Sequence, residues 1–281
     1  MKTGIVILNY NDSETTIELL ERIKGYEALN IIAVVDNNSS DNSYNKLAKY
    51  ENEKIKVLKS EKNNGYGSGN NIGCKYLAEH NMDHIIISNP DVIFSENDII
   101  NLIESFENEN IAVVAPIIQE GETLNRGWKF TGAFIDGLTN INYIGRTFKK
   151  KALYEDSYYL DKYSKVDVVS GCFFVIRRDV MKEVGYFDEN VFLYYEENIL
   201  AKKIRKVDKD IIINNEVKVI HNHSVSVNKT YNKIKKFKIL AKSQRYYHKN
   251  YNNGGAIKML WLYITYAITL LISYILRIFG K

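Results

Sequence analysis

The sequence predicts an α/β fold in which a mostly parallel, doubly wound sheet is flanked by helices. Two patterns in the first half of the chain predict it. Short apolar, β-branched segments alternate with segments of helical periodicity, and polar residues follow several of the apolar segments. A third pattern lies at the other end, where a basic segment leads into a long apolar one. That pattern predicts a helical tail that associates with a membrane.

The predicted elements follow one another in order. Strands are expected over residues 4–8, 31–35, 55–58, 85–88 and 111–115, and helices over 12–24, 41–50, about 66–80 and 95–107. Residues 119–165 are rich in Gly, Tyr and Asn and predict loops and short strands around a cleft. Then come an ordered apolar segment at 166–176, a helix to about 184, a strand at 217–220, a basic helix at 229–250, a hinge at 252–255 and the apolar segment 259–276.

Composition narrows the class of protein. With 45% hydrophobic and 26% charged residues, the chain is an ordinary globular protein. The two cysteines, Cys74 and Cys172, lie far apart in sequence and form no metal-ligand pair, which favours a reducing compartment. The N-terminus runs directly into a strand and lacks the apolar region of a signal peptide. The main body is therefore expected in the cytoplasm.

The charge is distributed unevenly along the chain. Residues 217–281 contain twelve Lys or Arg and no Asp or Glu, whereas residues 1–216 contain 26 basic and 34 acidic residues. A basic tail on an acidic body favours either nucleic acid or an anionic membrane surface as its partner.

The end of the tail decides between these partners. Residues 259–276 contain no charged side chain in eighteen positions. Aromatic residues lie within this segment and cations flank it: Trp261, Tyr263, Tyr266, Tyr274, Lys258 and Arg277. This arrangement is typical of a spanning or interfacial membrane helix, so a membrane and no nucleic acid is predicted. A buried terminal helix or an oligomer contact is the alternative, and a homodimer stays open.

The most informative local feature is a buried strand that ends at a carboxylate. Residues 85–88 are apolar or β-prone, and Asn89-Pro90 then ends the strand because proline has no N–H for the sheet ladder. Asp91 is thereby held at the carboxyl end of a central strand, where ligands bind in open α/β sheets. A carboxylate there can hold a divalent metal, and the metal can hold phosphates.

Two other segments could contribute to a ligand site from the first half. Asp36 ends the second strand and could accept hydrogen bonds from a ribose or a base, or it could belong to a helix-capping loop. The glycine-rich segment 63–73 could bring the backbone close to a ligand, or it could form a flexible turn before a helix. Its spacing matches neither a Walker A loop nor Gly-x-Gly-x-x-Gly.

Two segments of the second half can each be interpreted as part of the site or as an ordinary structural feature. Glu196-Glu197 follow an aromatic run and could supply a general base of raised pKa, or they could be the acids that favour a helix N-terminus. His221, in the motif HNHS, could complete a metal site with Asp91 or contact a diphosphate, or it could be a surface histidine.

The order of these segments is more specific than any one of them. The chain contains, in succession, VDNNSSDNS, NNGYGSGNNIG, SNPDV, VSGCFFVIRRDVMKEVGYFDENVFLYYEEN and VIHNHSVS. With these motifs it closely resembles family 2 glycosyltransferases of the GT-A fold, and in particular bacterial rhamnosyltransferase-like members that build surface polysaccharides. The resemblance covers about residues 3–250.

The resemblance implies a Rossmann-like GT-A catalytic domain over residues 1–228, with a nucleotide-binding half at about 1–118 and an acceptor half at 119–228. Residues 229–281 would add the basic helix and the membrane-associating helix. The implied reaction is inverting and depends on Mg²⁺ or Mn²⁺. A sugar would pass from a dTDP- or UDP-linked donor, dTDP-rhamnose being the best guess, to a lipid-linked or growing glycan acceptor at the cytoplasmic face of the cell membrane.

The resemblance also implies roles for individual residues. Asp36 would contact the nucleotide base, Asp91 would bind the metal, and His221 would bind the metal or the diphosphate. The other residues expected at the nucleotide sugar are Asn9, Tyr10, Asn11, Asn38, Asn64, Gly65, Asn71 and Asn89. Glu197, or its neighbour Glu196, would be the catalytic base. The residues expected on the acceptor side are Gly171, Trp128 and Tyr195.

Two departures from the family pattern leave a second hypothesis open. Glu197 stands where the family prefers Asp, and Ile199 replaces the acid that follows. The metal motif also supplies one carboxylate. A sugar-nucleotide-binding module with weak or no catalysis is therefore the alternative to an active transferase.

Overall fold

The computed structural model describes residues 1–141, 144–222 and 232–278. The strands are β1 (Thr3–Asn9), β2 (Ile31–Asp36), β3 (Ile55–Lys59), β4 (His84–Ser88), β5 (Val92–Ile93), β6 (Ile111–Glu120), β7 (Thr123–Asn125), β8 (Tyr163–Lys165), β9 (Phe173–Arg177) and β10 (Asp210–His221). The helices are α1 (Ser13–Ile23), α2 (Ser43–Leu47), α3 (Tyr66–Glu79), α4 (Glu96–Glu104), α5 (Ala133–Thr139), α6 (Gly145–Lys149), α7 (Arg178–Glu183), α8 (Glu196–Lys206), α9 (Lys233–Tyr251) and α10 (Ala256–Ile278).

These strands form a single mixed sheet. Eight follow the order β3-β2-β1-β4-β9-β6-β10-β5, while β7 pairs with β6 and β8 with β10. The strands β3, β2, β1 and β4 are mutually parallel, and β10 is parallel to β6. Between these two groups, β9 runs antiparallel to both β4 and β6. The predicted α/β fold is confirmed. The alternation of strands and helices in the sequence did not predict that β9 is inserted antiparallel between β4 and β6.

The core lies on both faces of this sheet. Alternate residues of β1 point to opposite faces, so Ile5 and Ile7 join one buried cluster and Val6 joins the other. In β4, Ile86 lies on the first face and Ile85 on the second. Burial on both faces explains why these strands are almost continuously apolar in sequence.

Two strands are longer than predicted. β6 extends to Glu120 and β10 begins at Asp210, because they pair along most of their length across a register shift between Asn214 and Lys218. This pairing brings the ends of both strands to the same edge of the sheet. Ser95 caps helix α4 in a reciprocal capping box with Asp98, and the helix ends at Glu104, three residues before the predicted end.

The two C-terminal helices pack on the second half of the chain. Asn232 caps α9 by accepting a hydrogen bond from the Lys235 N–H, and α10 packs against α5 and α9. The predicted start of the basic helix at 229 and the predicted boundary at 228 lie outside the described residues, as do residues 223 and 224 of the HNHS motif. Within α10, residues 256–276 are long and apolar enough to cross a membrane, with a mean hydropathy of 1.9.

Candidate active site

Several polar residues that the sequence analysis identified collect at one edge of the sheet. The parallel strands β1, β2 and β4 end there at Asn9, Asp36 and Ser88. Because β9 is antiparallel to both β4 and β6, strands β6 and β10 run in the same direction as β4 and end there at Glu120 and His221. The carboxyl edge of such a sheet is where ligands bind.

Asp36 and Asn9 form a hydrogen-bonded pair at the ends of β2 and β1. Asn9 Nδ2 donates to Asp36 Oδ2 (2.9 Å) and to Ser39 Oγ (3.2 Å). Asn9 Oδ1 accepts from Thr16 Oγ1 (2.9 Å), and the Ser39 N–H donates to Asp36 Oδ1 (3.0 Å). Asn9 and Asp36 are fully buried and hold the loop after β2 in shape. A direct contact of Asp36 with a nucleotide base stays a prediction.

The remaining polar residues after these strands are more accessible. Tyr10 is half-buried, and Asn11, Asn38 and Asn64 are exposed. Asn11 and Asn38 have φ angles of 53° and 58°, in the left-handed region that asparagine tolerates better than most residues. The Ser40 N–H donates to Asn11 Oδ1 (2.8 Å) and ties the loops after β1 and β2 together. Contacts of these four side chains with a donor stay predictions.

The glycine-rich segment serves packing between protein segments. Gly65 has a φ of 107°, and a Cβ there would lie 2.1 Å from the Phe192 carbonyl oxygen. The Tyr66 N–H donates to the same carbonyl (2.9 Å). Asn71 Nδ2 donates to the Phe187 carbonyl (3.0 Å), and Asn71 Oδ1 accepts from the Phe187 N–H (2.9 Å). These contacts tie α3 to the segment that precedes Glu196, and a donor contact of Gly65 or Asn71 stays a prediction.

Asp91 and His221 lie together at the strand edge. His221 Nε2 lies 3.3 Å from Asp91 Oδ1, and His221 Nδ1 lies 2.9 Å from Glu120 Oε1. The pairing of β5 with β10 places them there, since Val92 pairs with His221. Burial lowers the pKa of His221, but the carboxylates of Asp91 and Glu120 more than offset this effect and raise the pKa above its ordinary value.

This donor set fits a divalent metal that is also held by phosphates and water. Among the residues that the structure describes, no group of three or more His, Cys, Asp or Glu side chains is arranged as a metal cage. Mg²⁺ usually takes one or two carboxylates plus substrate phosphates, and imidazole suits transition metals. A metal-bound imidazole typically donates its other N–H to a carboxylate. Asp91 and His221 would hold the metal, with Glu120 orienting His221.

Among the residues predicted for catalysis and for the acceptor, Glu197 lies against Gly171. The Gly171 N–H donates to Glu197 Oε1 (3.3 Å), and a Cβ on residue 171 would lie 2.7 Å from the same oxygen. Glycine is therefore the residue that leaves room for this carboxylate. Glu196 is buried beside it, and its Oε2 has no hydrogen-bond partner among the described residues.

The two glutamates differ in their electrostatic surroundings. Burial, together with the neighbouring Glu197 carboxylate, raises the pKa of Glu196 well above its ordinary value. Burial also raises the pKa of Glu197, but backbone N–H groups, including that of Gly171, oppose the shift. The buried Glu196 Oε2 without a partner among the described residues favours the neutral form of Glu196, whereas the Gly171 N–H stabilises the charged form of Glu197.

Trp128 and Tyr195 form their hydrogen bonds with residues other than those at the strand edge. Trp128 is half-buried, and its backbone N–H and C=O exchange hydrogen bonds with Val168 (2.9 and 3.0 Å). The Tyr195 hydroxyl donates to Asp136 Oδ2 (2.9 Å) and accepts from Gln244 Nε2 (2.9 Å). Their predicted contact with an acceptor stays a prediction.

Sequence reasoning missed one residue that joins the two sides of the site. The Tyr66 hydroxyl lies 3.0 Å from Asn89 Oδ1 and 2.6 Å from the Gly171 carbonyl oxygen. It therefore bridges the Asn89-Pro90-Asp91 segment and the glycine beside Glu197. Burial and the nearby glutamates raise the pKa of Tyr66 well above its ordinary value, so the hydroxyl is neutral. The missed signal was one aromatic hydroxyl inside a segment that glycines dominate.

This fold, with its polar residues at the carboxyl edge of the sheet, is of the GT-A type. The family model described as Glycosyl transferase family 2 matches residues 4–185, and the chain belongs to this family. The predicted family is thereby confirmed.

Two curated relatives are similar over most of the chain. The Low-salt glycan biosynthesis hexosyltransferase Agl10 of Haloferax volcanii is 28% identical over 227 residues, which are 79% of this chain and 67% of that protein. The Uncharacterized glycosyltransferase YwdF of Bacillus subtilis is 27% identical over 196 residues, 70% of this chain and 65% of that protein. The chain thus spans about two thirds of the length of these relatives.

Solved structures share the fold. GalNAc-T7, solved with UDP, GalNAc and Mn²⁺, superposes with a TM-score of 0.66 at 15% identity, covering 88% of this chain and 48% of that one. S. aureus TarS 1–349, solved with UDP-GlcNAc, superposes with a TM-score of 0.60 at 16% identity, covering 93% and 70%. At these identities the likeness concerns the fold alone.

Proposed function

We propose that this protein is an inverting, metal-dependent glycosyltransferase. It transfers a sugar from a nucleotide-sugar donor to a lipid-linked or growing glycan acceptor in cell-surface glycan synthesis, at the cytoplasmic face of the membrane. One observation carries the proposal: Asp91 with His221 and Gly171 with Glu197 lie on two sides of one site, and the Tyr66 hydroxyl contacts both sides.

The chemistry follows from the two sides. Glu197 takes the proton of the acceptor hydroxyl while that oxygen attacks the anomeric carbon, and the bond from the sugar to the diphosphate breaks. A single displacement of this kind inverts the anomeric centre. A divalent metal, when bound by Asp91 and His221, offsets the charge that builds on the leaving diphosphate. Burial raises the pKa of Glu196 well above its ordinary value, which favours its neighbour Glu197 as the base.

The donor sugar is proposed at two levels of detail. A hexose is supported by the curated relative named as a hexosyltransferase. L-Rhamnose from dTDP-rhamnose rests on the motif resemblance alone, and UDP-linked sugars are the competing donors because the solved structures with this fold were obtained with UDP or UDP-GlcNAc. A Mn²⁺ cofactor is supported by the metal in one of those structures.

The membrane contact is assigned to α10. One face of this helix is docked on the protein: Leu262, Thr265 and Thr269 are buried, and Trp261 Nε1 donates to the Phe134 carbonyl (3.1 Å). The opposite face exposes apolar side chains: Ile257, Leu260, Tyr263, Ile264, Ile268, Leu271, Tyr274 and Ile275. A helix with one docked face and one exposed apolar face suits an interfacial position better than a full span.

A donor panel tests the function. Thermal unfolding is measured with UDP- and dTDP-linked sugars, with and without Mn²⁺, and transfer or donor hydrolysis is then measured with the stabilising donor. We expect Glu197→Gln to lose roughly 10²–10⁴-fold in turnover while keeping donor stabilisation. Glu183→Gln, an exposed carboxylate on α7, is the matched control and keeps wild-type turnover.

The second candidate function is a sugar-nucleotide-binding module without catalysis. It predicts a different result in the same experiment. Donor would stabilise the wild type, while wild type and Glu197→Gln would be equally inert. Asp91→Asn separates the metal from the rest of the site, since it should abolish the Mn²⁺-dependent part of the stabilisation. Stabilisation by donor that is identical with and without Mn²⁺ would contradict the metal role.

A further inference from the structure

We propose that Asp136 is a positioning residue for the catalytic base. Its buried carboxylate fixes Tyr195, and with it the first turn of α8, to the C-terminal helix α9. The inference deepens the proposed function, because it rests on Glu197 being the base. It assigns α9 to the catalytic unit, whereas the sequence analysis placed residues 229–281 outside the catalytic domain.

Asp136 lies on α5 and gathers three hydrogen-bond donors from three segments. Oδ2 accepts from the Tyr195 hydroxyl (2.9 Å) and from His248 Nε2 (2.7 Å), and Oδ1 accepts from Thr131 Oγ1. Asn252 Nδ2 lies 3.2 Å from His248 Nδ1 and can donate to it, which leaves the proton of the imidazole on Nε2. Asp136 and His248 are both buried, so this carboxylate is satisfied by protein alone.

Gln244 closes the network from the same helix as His248. Its Nε2 donates to the Tyr195 hydroxyl (2.9 Å), and its Oε1 accepts from Asn140 Nδ2 (2.6 Å). The Tyr195 hydroxyl is therefore held between α5 and α9. Burial and the Asp136 carboxylate raise the pKa of Tyr195 well above its ordinary value, so the hydroxyl stays a donor.

Tyr195 is the residue that begins the base-carrying helix, and its backbone is strained. Tyr194 and Tyr195 have φ angles of 70° and 68° in the left-handed region, which bulky side chains rarely adopt. Tyr195 is the N-cap of α8, and its carbonyl accepts from the Ile199 N–H (2.9 Å). Glu196 and Glu197 follow at once. A strained turn persists only where its surroundings hold it, and here the surroundings are α5 and α9.

The departure at residue 199 fits this arrangement. Ile199 stands where the family carries an acid, and its side chain is fully buried in a small cluster with Val191 and Tyr247 of α9. An acid at this position would be buried against Tyr247. This chain thus places an apolar contact and a hydrogen-bond network between α9 and the first turn of α8.

Helix α10 reaches the same network through α5. Thr269 Oγ1 donates to the Asn140 carbonyl (2.9 Å), and a Cβ on Gly137 would lie 2.4 Å from Trp261 Nε1. Helix α5 therefore lies between the membrane-facing helix and the residue that starts α8.

Asp136→Asn tests the inference with almost no change of volume. The amide carries no charge, so the hydrogen bonds that Tyr195 and His248 donate to this side chain are weakened even where an oxygen keeps the Oδ2 position. With the donor sugar from the panel, we expect kcat to fall about 10- to 100-fold with little change in donor KM, because a misplaced base slows the chemical step. Tyr195→Phe, which keeps the Asp136–His248 contact, should show a smaller fall of the same kind.

A ligand-free measurement accompanies the kinetics. Backbone amides of residues 192–200 should exchange hydrogen faster in Asp136→Asn and Tyr195→Phe than in the wild type. Tyr246→Phe is the matched control on α9, since its hydroxyl donates to Asp188 Oδ2 (2.9 Å) and not to the Asp136 network. It should keep wild-type kcat and wild-type exchange at 192–200.

The outcomes separate this inference from the proposed function. In a Glu197→Gln background, Asp136→Asn should add little further loss, because both changes act on the same group. The inference would be overturned if Asp136→Asn lowered kcat as much in the Glu197→Gln background as in the wild type. It would also be overturned if Asp136→Asn and Tyr195→Phe both kept wild-type kcat and wild-type hydrogen exchange. Absence of any transfer by the wild type would instead count against the proposed function, and the exchange experiment would still decide whether Asp136 holds the start of α8.

Discussion

At the scale of single residues, the adjacent glutamates of α8 have different chemistry because their surroundings differ. Glu196 is buried, and its Oε2 has no partner among the described residues, so the neutral form is favoured. Glu197 is half-buried and accepts the Gly171 N–H, which stabilises its charged form. The sequence shows two identical residues, and the structure gives each of them different surroundings.

The pH dependence of the reaction should reflect this environment. Burial raises the pKa of Glu197 above the ordinary glutamate value of 4.5. A base acts in its ionised form, so activity is present above this pKa and is lost as the pH falls through it. We expect the midpoint of the acid limb in the pH profile of kcat/KM to lie above pH 4.5. A limb at or below that value, with circular dichroism showing a folded protein throughout, would contradict the assignment.

Gly171 should be sensitive to a single methyl group. In Gly171→Ala the Cβ would lie 2.7 Å from Glu197 Oε1 and 3.0 Å from its Cγ. The glutamate side chain can move away, so we expect the free energy of unfolding to change by less than about 1 kcal/mol. Turnover should fall about 10-fold or more because the base is displaced. Gly25→Ala, where the new Cβ meets nothing within 4 Å, is the control.

At the scale of elements, α3 illustrates how glycine spacing serves packing. The sequence left open whether segment 63–73 approaches a ligand or forms a turn. In the structure Gly65 approaches the Phe192 carbonyl and Gly73 approaches Val6 of β1. Helix α3 thereby lies close to the sheet on one side and to the segment before α8 on the other, where Tyr66 reaches both Asn89 and Gly171.

Gly65→Ala should therefore destabilise the protein. The φ of 107° is unfavourable for alanine, and the added Cβ would lie 2.1 Å from a backbone oxygen that cannot easily move. We expect a loss of about 2–4 kcal/mol in the free energy of unfolding, measured by urea denaturation. Gly121→Ala, at a φ of 58° with nothing within 4 Å, has a backbone cost without a close contact and should lose only about 1–2 kcal/mol. Equal losses in both variants would show that the contact with Phe192 is unimportant.

At the scale of the whole molecule, the tail and the catalytic part are packed together. Tyr247 of α9 is fully buried beside Ile199, and α10 packs along α5. The basic and apolar segments were predicted from composition, and their docking on the acceptor half was not. Deleting the tail would therefore disturb folding as well as membrane binding, so point substitutions on the exposed face of α10 are the better probe.

The membrane contact can be tested on that face. Leu260 and Leu271 are 61% and 62% exposed, and replacing both with Glu should abolish co-flotation with phosphatidylglycerol-containing vesicles, since each buried leucine contributes about 1.5–3 kcal/mol. Leu160→Glu is the control, because Leu160 is 84% exposed and lies outside the tail. Unchanged flotation of the double variant, with an unchanged melting temperature, would contradict a membrane role for α10.

The sequence by itself determined the fold class and the polar residues at which the strands end. Those signals are local: apolar periodicity, a proline that ends a strand and glycines at a close approach are all visible within a few residues. The tertiary structure decided what depends on contacts between distant segments. It inserted β9 between β4 and β6, brought Glu120 to His221, and joined Asp136 to Tyr195 and His248. Those partners lie up to 112 residues apart, so no local pattern predicts them, and only the packing of the folded chain selects them.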